Sequence, residues 1–174
     1  MPNFPSNSKG STRVLFICLG NICRSPLAQG IFQHQVQQQG RELAYHVESA
    51  GLGDWHIGHA PDPRSQTIAN ENGIILSSFA RQVKTPQDFQ SFDWILAMDR
   101  QNRMDLLSLA PAKHRHKIRL IREFDPECTQ HDQPDPEVPD PYYGGLEGFQ
   151  KIFTQLNRSC QNLFDFLEQE KQFV

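Results

Sequence analysis

The sequence predicts a small α/β domain, with an open, mainly parallel four-stranded sheet flanked by helices. Short apolar stretches alternate along the chain with segments of helical spacing, the pattern of a sheet built from successive strand and helix units. The first of these stretches, "VLFICL", is continuous, as in strands covered on both faces. A chain of 174 residues also suits one domain with a complete core.

The N-terminal "MPNFPSNSKGSTR" has no apolar centre, so it reads as a flexible arm over 1–11 and not as a secretory signal. A single domain would fill 12–174. "TRVLFICL", 12–19, is the first strand. Ser25-Pro26 reads as an N-cap followed by proline at the first helical position, opening a helix to about residue 39. "ELAYHVESAG", 42–51, is the second strand, and 62–73 is a short helix stopped by Gly73. The third strand is "FDWILAMD", 92–99, followed by a helix over "QNRMDLLSLA". "KIRLI", 117–121, is the fourth.

The segment 123–145 is rich in Pro and Asp and predicts a long surface loop, for which coverage of an active site is one reason. Over 148–170, Phe149, Ile152, Phe153, Leu156, Cys160, Leu163, Phe164 and Leu167 recur at helical spacing and predict a packed closing helix.

With 37% hydrophobic and 21% charged residues and a net charge of -3, the composition is that of a soluble protein. It gives no general attraction to nucleic acid or to an anionic membrane. No stretch approaches the ~20 apolar residues of a membrane helix. Cys18, Cys23, Cys128 and Cys160 are too few and too uneven for a secreted disulfide framework, so reduced thiols in the cytoplasm are expected.

Chemistry concentrates in "CLGNICRS", beyond the carboxyl end of the first strand, where open α/β sheets bind ligands. Gly20 and Asn21 best tolerate left-handed backbone, so the loop can curl until several N–H groups face one centre. Those amides and the following helix N-terminus make an anion site. Arg24 adds a planar cationic fork for two phosphate oxygens. The same field favours a thiolate at Cys18, which can attack a bound phosphoryl group in line with its leaving oxygen and form a phosphocysteine. Arg24 and the amides would stabilise the transferring oxygens, and Ser25 would hydrogen-bond the thiolate.

Taken singly, a strand-terminal cysteine is a packing residue and an arginine at a helix start is a surface charge. The constellation points to chemistry. It is not a Walker loop, since "GNICRS" lacks the Gly-Lys-Ser/Thr ending. Zinc is disfavoured because no second thiol pair follows Cys18 and Cys23 at ribbon spacing, and Cys128 with His131 is a poor complement. His56 and His59 read as surface or loop residues. A reversible Cys18-Cys23 disulfide is open if the curled loop brings the two Cα atoms within ~7 Å.

The leaving alkoxide or phenoxide needs a proton, and a carboxylic acid that supplies it can then act as base toward water. Asp132, Asp135 and Asp140 all qualify by composition. Asp140 in "VPDPYYGG" is preferred for its prolines, tyrosines and Gly144-Gly145 hinge. Asp99 is assigned to structural support, as a helix cap or as a polar residue behind the site.

"VLFICLGNICRSPLAQG" resembles the phosphate-binding loop of the low molecular weight protein tyrosine phosphatases: cysteine, five residues, arginine, then serine or threonine. "SAGLGDWHIGHAPDPRS", "GIILSSFARQ", "FDWILAMDRQN" and "DPYYGG" resemble later blocks of that family, in order. The resemblance implies Cys18 as nucleophile and Arg24 as phosphate-binding arginine within a loop of Cys18, Leu19, Gly20, Asn21, Ile22, Cys23, Arg24 and Ser25. It implies Asp140 as general acid, Asn21 holding strained backbone with Ser49 behind it, Ser25 on the thiolate, and Cys23 as the partner in reversible oxidation.

It further implies hydrolysis of phosphotyrosine on tyrosine-phosphorylated proteins, with inorganic phosphate as product and no metal or other cofactor. Trp55 and Tyr142 would wall the aromatic ring, and Leu19 and Leu52 would add apolar contact. Tyr142 and Tyr143 resemble sites of phosphorylation. Phe79 stands where many relatives carry a polar or small residue. Thiol-dependent arsenate reductases share the loop but use further cysteines in mid-chain, and here none lies between Cys23 and Cys128. A non-catalytic phosphotyrosine-binding module is the third reading, weighed against by the presence of nucleophile, arginine and acid together.

Overall fold

The computed structural model describes residues 10–129 and 136–173. Apart from Gly10 and Ser11, the expected N-terminal arm lies outside these residues, as do His131, Asp132 and Asp135. Four strands, β1 (Thr12–Cys18), β2 (Tyr45–Gly51), β3 (Trp94–Ala97) and β4 (Ile118–Leu120), form one sheet in the order β2-β1-β3-β4. All three pairings are parallel. The chain leaves β1 first for one side of the sheet and later for the other, so the crevice expected in such folds opens at the carboxyl end of β1. Register sets Cys18 opposite Gly51 and Ile17 opposite Ala97, which brings both flanking strand ends level with the cysteine.

The apolar run of β1 is continuous because both faces are covered. Val14 and Phe16 point into a core shared with α1 (Arg24–Gln38) and α6 (Leu146–Gln172), while Leu15 and Ile17 pack with Phe89, Phe92 and Leu106 on the other face. Phe89 lies on α3 (Gln87–Ser91) and Leu106 on α4 (Arg100–Leu109). On α6, Ile152, Leu156, Cys160, Leu163, Phe164 and Leu167 form one buried stripe, as their spacing predicts. Phe32 of α1 meets Phe16, Tyr45 and Phe164 edge-on, with centroids 5.8, 5.6 and 6.5 Å away. Truncating Phe32 to alanine would cost about 3–5 kcal/mol through the cavity it leaves.

Several expectations are corrected. Helix α1 begins at Arg24 with Cys23 in the cap position, and no side chain caps it there. Ser25 therefore lies inside the first turn, because its hydroxyl is engaged by Cys18 and Asn21 instead. Residues Glu42–Ala44 form a 3-10 turn ahead of β2, and α3 fills a segment for which no element is expected from the pattern.

The segment 123–145 is not one irregular loop. A 3-10 turn, Ile121–Phe124, runs into the short α5 (Pro126–Thr129). Between them the Asp125 carboxylate, fully buried, accepts from Arg122 and from Arg158 of α6, pinning the turn to that helix. α2 (Pro63–Glu71) matches the short helix expected, with Asp62 as its cap and Gly73 at a φ of 74° just beyond its end.

Candidate active site

Cys18 ends β1, and its buried sulfur faces the first turn of α1. The Asn21 N–H donates to Sγ at 3.2 Å, and the Ser25 hydroxyl lies 3.0 Å from it. This return of the chain requires Asn21 at a φ of 58°, the left-handed region that asparagine tolerates better than most residues. Its side chain supports that conformation. The Arg81 N–H donates to Asn21 Oδ1 at 2.9 Å, which turns Nδ2 toward the Ser25 and Ser49 hydroxyls at 2.8 and 2.9 Å. Ser49 in turn donates to Gln29 Oε1 at 2.7 Å. With Asn21 donating to Ser25 Oγ, the hydroxyl hydrogen is left for the Cys18 sulfur at 3.0 Å or the Ala50 carbonyl at 3.5 Å, and the sulfur is the nearer.

The second wall of the loop is backbone. Leu52 N–H donates to the Cys18 carbonyl at 3.0 Å and Gly53 N–H to the Leu19 carbonyl at 2.9 Å. A Cβ on Gly51 would stand 3.0 Å from the Leu19 carbonyl oxygen and 3.1 Å from the Asn21 side chain. Glycine at the end of β2 is what lets the loop lie so close.

Arg24 is buried, and its fork is held from behind. Nη1 donates to Asp99 at 2.6 Å and to the Val138 carbonyl at 3.0 Å, while Nη2 lies 3.5 Å from Asp140. Burial opposes its charge, but the Cys18 sulfur, Asp99 and Asp140 more than offset that and hold the guanidinium protonated above its ordinary value. Asp99 fills both roles considered for it, since its other oxygen caps α4 by accepting from Asn102 N–H at 2.7 Å. Asp140 is half exposed and accepts from Tyr142 N–H at 3.1 Å.

Cys18, Arg24 and Asp140 meet in one cavity of about 330 Å³, together with Leu19, Gly20, Ile22, Cys23, Trp55 and Tyr142. Trp55 is 65% exposed, so it stands at the rim and is not a core aromatic. A Cβ on Gly53 would run into its indole, which fixes where the ring lies. Leu52 is not among the lining residues; its half-buried side chain packs on the core with Ile17 and Phe89. The cavity also includes His56 and Tyr143, which the sequence reading did not assign to the pocket. The His56 ring lies over Gly20 and 6.3 Å from the Tyr142 ring.

Cys23 and Cys18 are both free thiols here. The Cys23 sulfur lies 3.9 Å from Asp62 Oδ2. Burial, and then that carboxylate, push its thiol up to about 12. Gln29, Arg81 and the Val138 carbonyl are supporting groups that sequence reasoning did not identify. Their contribution is a contact between distant segments, and neither their residue types nor their spacing signals it.

The arrangement combines a sulfur facing donors, a cationic fork and a carboxyl on the solvent side, the parts needed to move a phosphoryl group through a cysteine. Comparison with known proteins identifies the family. The family model described as low molecular weight phosphotyrosine protein phosphatase matches residues 13–173. The low molecular weight phosphotyrosine protein phosphatase of Schizosaccharomyces pombe is 40% identical over 152 residues, covering 86% of this chain and 93% of that one. A crystal structure of a protein tyrosine phosphatase from Entamoeba histolytica, with Hepes in its active site, superposes with a TM-score of 0.85. It is 38% identical and covers 92% of this chain and 99% of its own. A Drosophila arginine phosphatase structure has a TM-score of 0.80 at 32% identity, covering 88% and 96%. This chain belongs to the low molecular weight phosphotyrosine protein phosphatase family.

Proposed function

We propose that this protein hydrolyses phosphotyrosine monoesters on proteins through a cysteinyl-phosphate intermediate, with Cys18, Arg24 and Asp140 as the acting groups. The observation that carries the assignment is the sulfur of Cys18 at 3.0 Å from Ser25 Oγ and 3.2 Å from Asn21 N, in the same cavity as the Arg24 fork and Asp140. The Cys18 thiolate attacks phosphorus while the bond to the phenolic oxygen breaks, and Asp140 gives that oxygen its proton. Asp140 then takes a proton from water as the water attacks phosphorus, the P–S bond breaks and inorganic phosphate leaves.

Arg24 and the loop amides hold the three equatorial oxygens through both steps, and the Ser25 hydroxyl stabilises the departing thiolate. Trp55 and Tyr142 flank a depth that suits a flat phenol on a long stem better than a short serine. Four cysteines, few and unevenly spaced along the chain, fit a reducing, cytosolic setting better than a secreted disulfide framework. The pair Cys18 and Cys23 would close reversibly under peroxide. No helix among the described residues is long and apolar enough to cross a membrane.

The test is steady-state hydrolysis of a phosphotyrosine peptide beside phosphoserine and phosphoarginine counterparts, with reductant and without metal. Turnover of the phosphotyrosine peptide that falls roughly 10⁴-fold or more in Cys18→Ser is expected. Preference for phosphoarginine, or turnover unchanged in the variant, overturns the assignment.

A further inference from the structure

Asp140 sits half exposed between the buried Val138 and Pro141, on a turn whose far side, Tyr143, Gly144 and Gly145, faces solvent and needs its own hold over the cavity. Its own contacts are local or long: Tyr142 N–H at 3.1 Å and Arg24 Nη2 at 3.5 Å. The turn is gripped from α2. Arg64 Nη2 donates to the Tyr142 carbonyl at 2.9 Å and Nη1 to the Gly144 carbonyl at 2.7 Å.

The guanidinium that does this is itself fixed on two sides. Nε and Nη2 pair with the two oxygens of Asp62 at 3.0 and 2.9 Å, and the Phe149 ring lies beneath it at 4.4 Å. Asp62 is buried, and hydrogen bonds from Arg64 hold its carboxyl below the usual range despite that burial. Its backbone N–H donates to the Ile22 carbonyl at 2.7 Å, inside the phosphate-binding loop. One connected path therefore runs from Ile22 through Asp62 and Arg64 to the carbonyls of Tyr142 and Gly144. It joins the loop bearing the nucleophile to the turn bearing the acid.

We propose that Arg64 is a positioning residue for the general acid, clasping the Asp140 turn onto the phosphate-binding loop; this rests on the reading of Asp140 as that acid. The planar fork is essential to the role. It presents donors in several directions at once, whereas a lysine ammonium can satisfy Asp62 but cannot also span both carbonyls in the same geometry. A displacement of about 1 Å in a reacting group costs on the order of a hundredfold in rate. Loosening the clasp thus removes acid catalysis without touching nucleophile or phosphate fork.

The experiment is kcat/KM over a series of aryl phosphates running from nitrophenyl phosphate to phosphotyrosine, for the parent, Arg64→Met, Arg64→Lys, Asp140→Ala and the Arg64→Met/Asp140→Ala double variant. Arg64→Met is expected to lose roughly tenfold to a hundredfold on phosphotyrosine and little on the nitrophenyl ester, matching the steeper leaving-group dependence of Asp140→Ala. Arg64→Lys should fall between, and Arg64→Met should add nothing in the Asp140→Ala background. A uniform loss across the series, or additive losses in the double variant, overturns the clasp while leaving the acid in place. If Asp140→Ala itself leaves the leaving-group dependence unchanged, the acid assignment falls and the clasp with it. Should Arg64→Met not fold, Arg64→Lys carries the same comparison, since it keeps a cation beside Asp62.

Discussion

Asp99 Oδ2 lies 2.6 Å from Arg24 Nη1 while Oδ1 caps α4 through Asn102 N–H, so one carboxylate both starts a helix and aims the phosphate fork. The two duties separate by substitution. Asp99→Asn keeps an oxygen for the cap but loses the charge that orients Arg24, and kcat/KM is expected to fall about tenfold to a hundredfold with little change in melting temperature. Asp99→Ala should show the same kinetic loss and a further ~1 kcal/mol of destabilisation from the missing cap. Equal stability of the two variants would mean that the cap contributes nothing.

Asn21 combines a backbone role with a side-chain role. Asn21→Gly relieves the positive φ but forfeits the hydrogen bonds to Ser25 and Ser49, whereas Asn21→Ala forfeits them and leaves the strain. Denaturant unfolding should place Asn21→Ala about 1 kcal/mol or more below Asn21→Gly. Both should be slow in turnover, because in both the Ser25 hydroxyl loses the donor that orients it.

For Cys23, burial and Asp62 push the thiol up to about 12, so near neutral pH it is protonated and a poor nucleophile. Brief iodoacetamide treatment near pH 7 is expected to alkylate Cys18 and spare Cys23, as read by peptide mass spectrometry. Peroxide should convert Cys18 to the sulfenic acid, which condenses with the Cys23 thiol, forming the S–S bond and releasing water. That closure should accelerate as pH rises, since the thiolate fraction of Cys23 grows about tenfold per unit below about 12. Sulfinic acid on Cys18 with no Cys23 linkage would reduce Cys23 to a packing residue.

The buried Asp125 carboxyl predicts an acid limit to stability. Burial raises its pKa, but Arg158, the Glu127 N–H and Arg122 outweigh that and hold it below the usual range. A depressed folded pKa contributes stability that is present above the unfolded value near 3.8 and lost as pH falls through the folded value. Asp125→Asn should therefore be less stable than the parent by about 3–5 kcal/mol near neutrality. The gap should narrow below about pH 4, measured by melting temperature against pH. A gap independent of pH would assign the loss to packing.

Much of the fold was legible because its signals are local. The continuous apolar run of β1 marks a strand covered twice, the spacing from Phe149 to Leu167 marks α6, and the Asp62-Pro63 start and Gly73 stop mark α2. The misplaced start of α1 has an equally physical cause. Ser25-Pro26 is a good cap by sequence, but the serine hydroxyl is taken by a sulfur seven residues earlier, and the helix begins without a side-chain cap. Asp125 offered no local sign that two arginines, one of them on α6, would bury it.

The sequence by itself determined that a cysteine and an arginine share one tight turn at the end of a buried strand, because that spacing lies within a single loop and its residue types dictate how the loop can curl. Only the tertiary structure decided what surrounds them. Arg81 orients Asn21, Asp99 and Val138 hold Arg24, and Arg64 grips the turn of Asp140, each across at least 60 residues of chain. Hydrogen bonds and ion pairs act over about 3 Å of space whatever the separation in sequence. Such partners become visible only when the parallel sheet has brought the strand ends level.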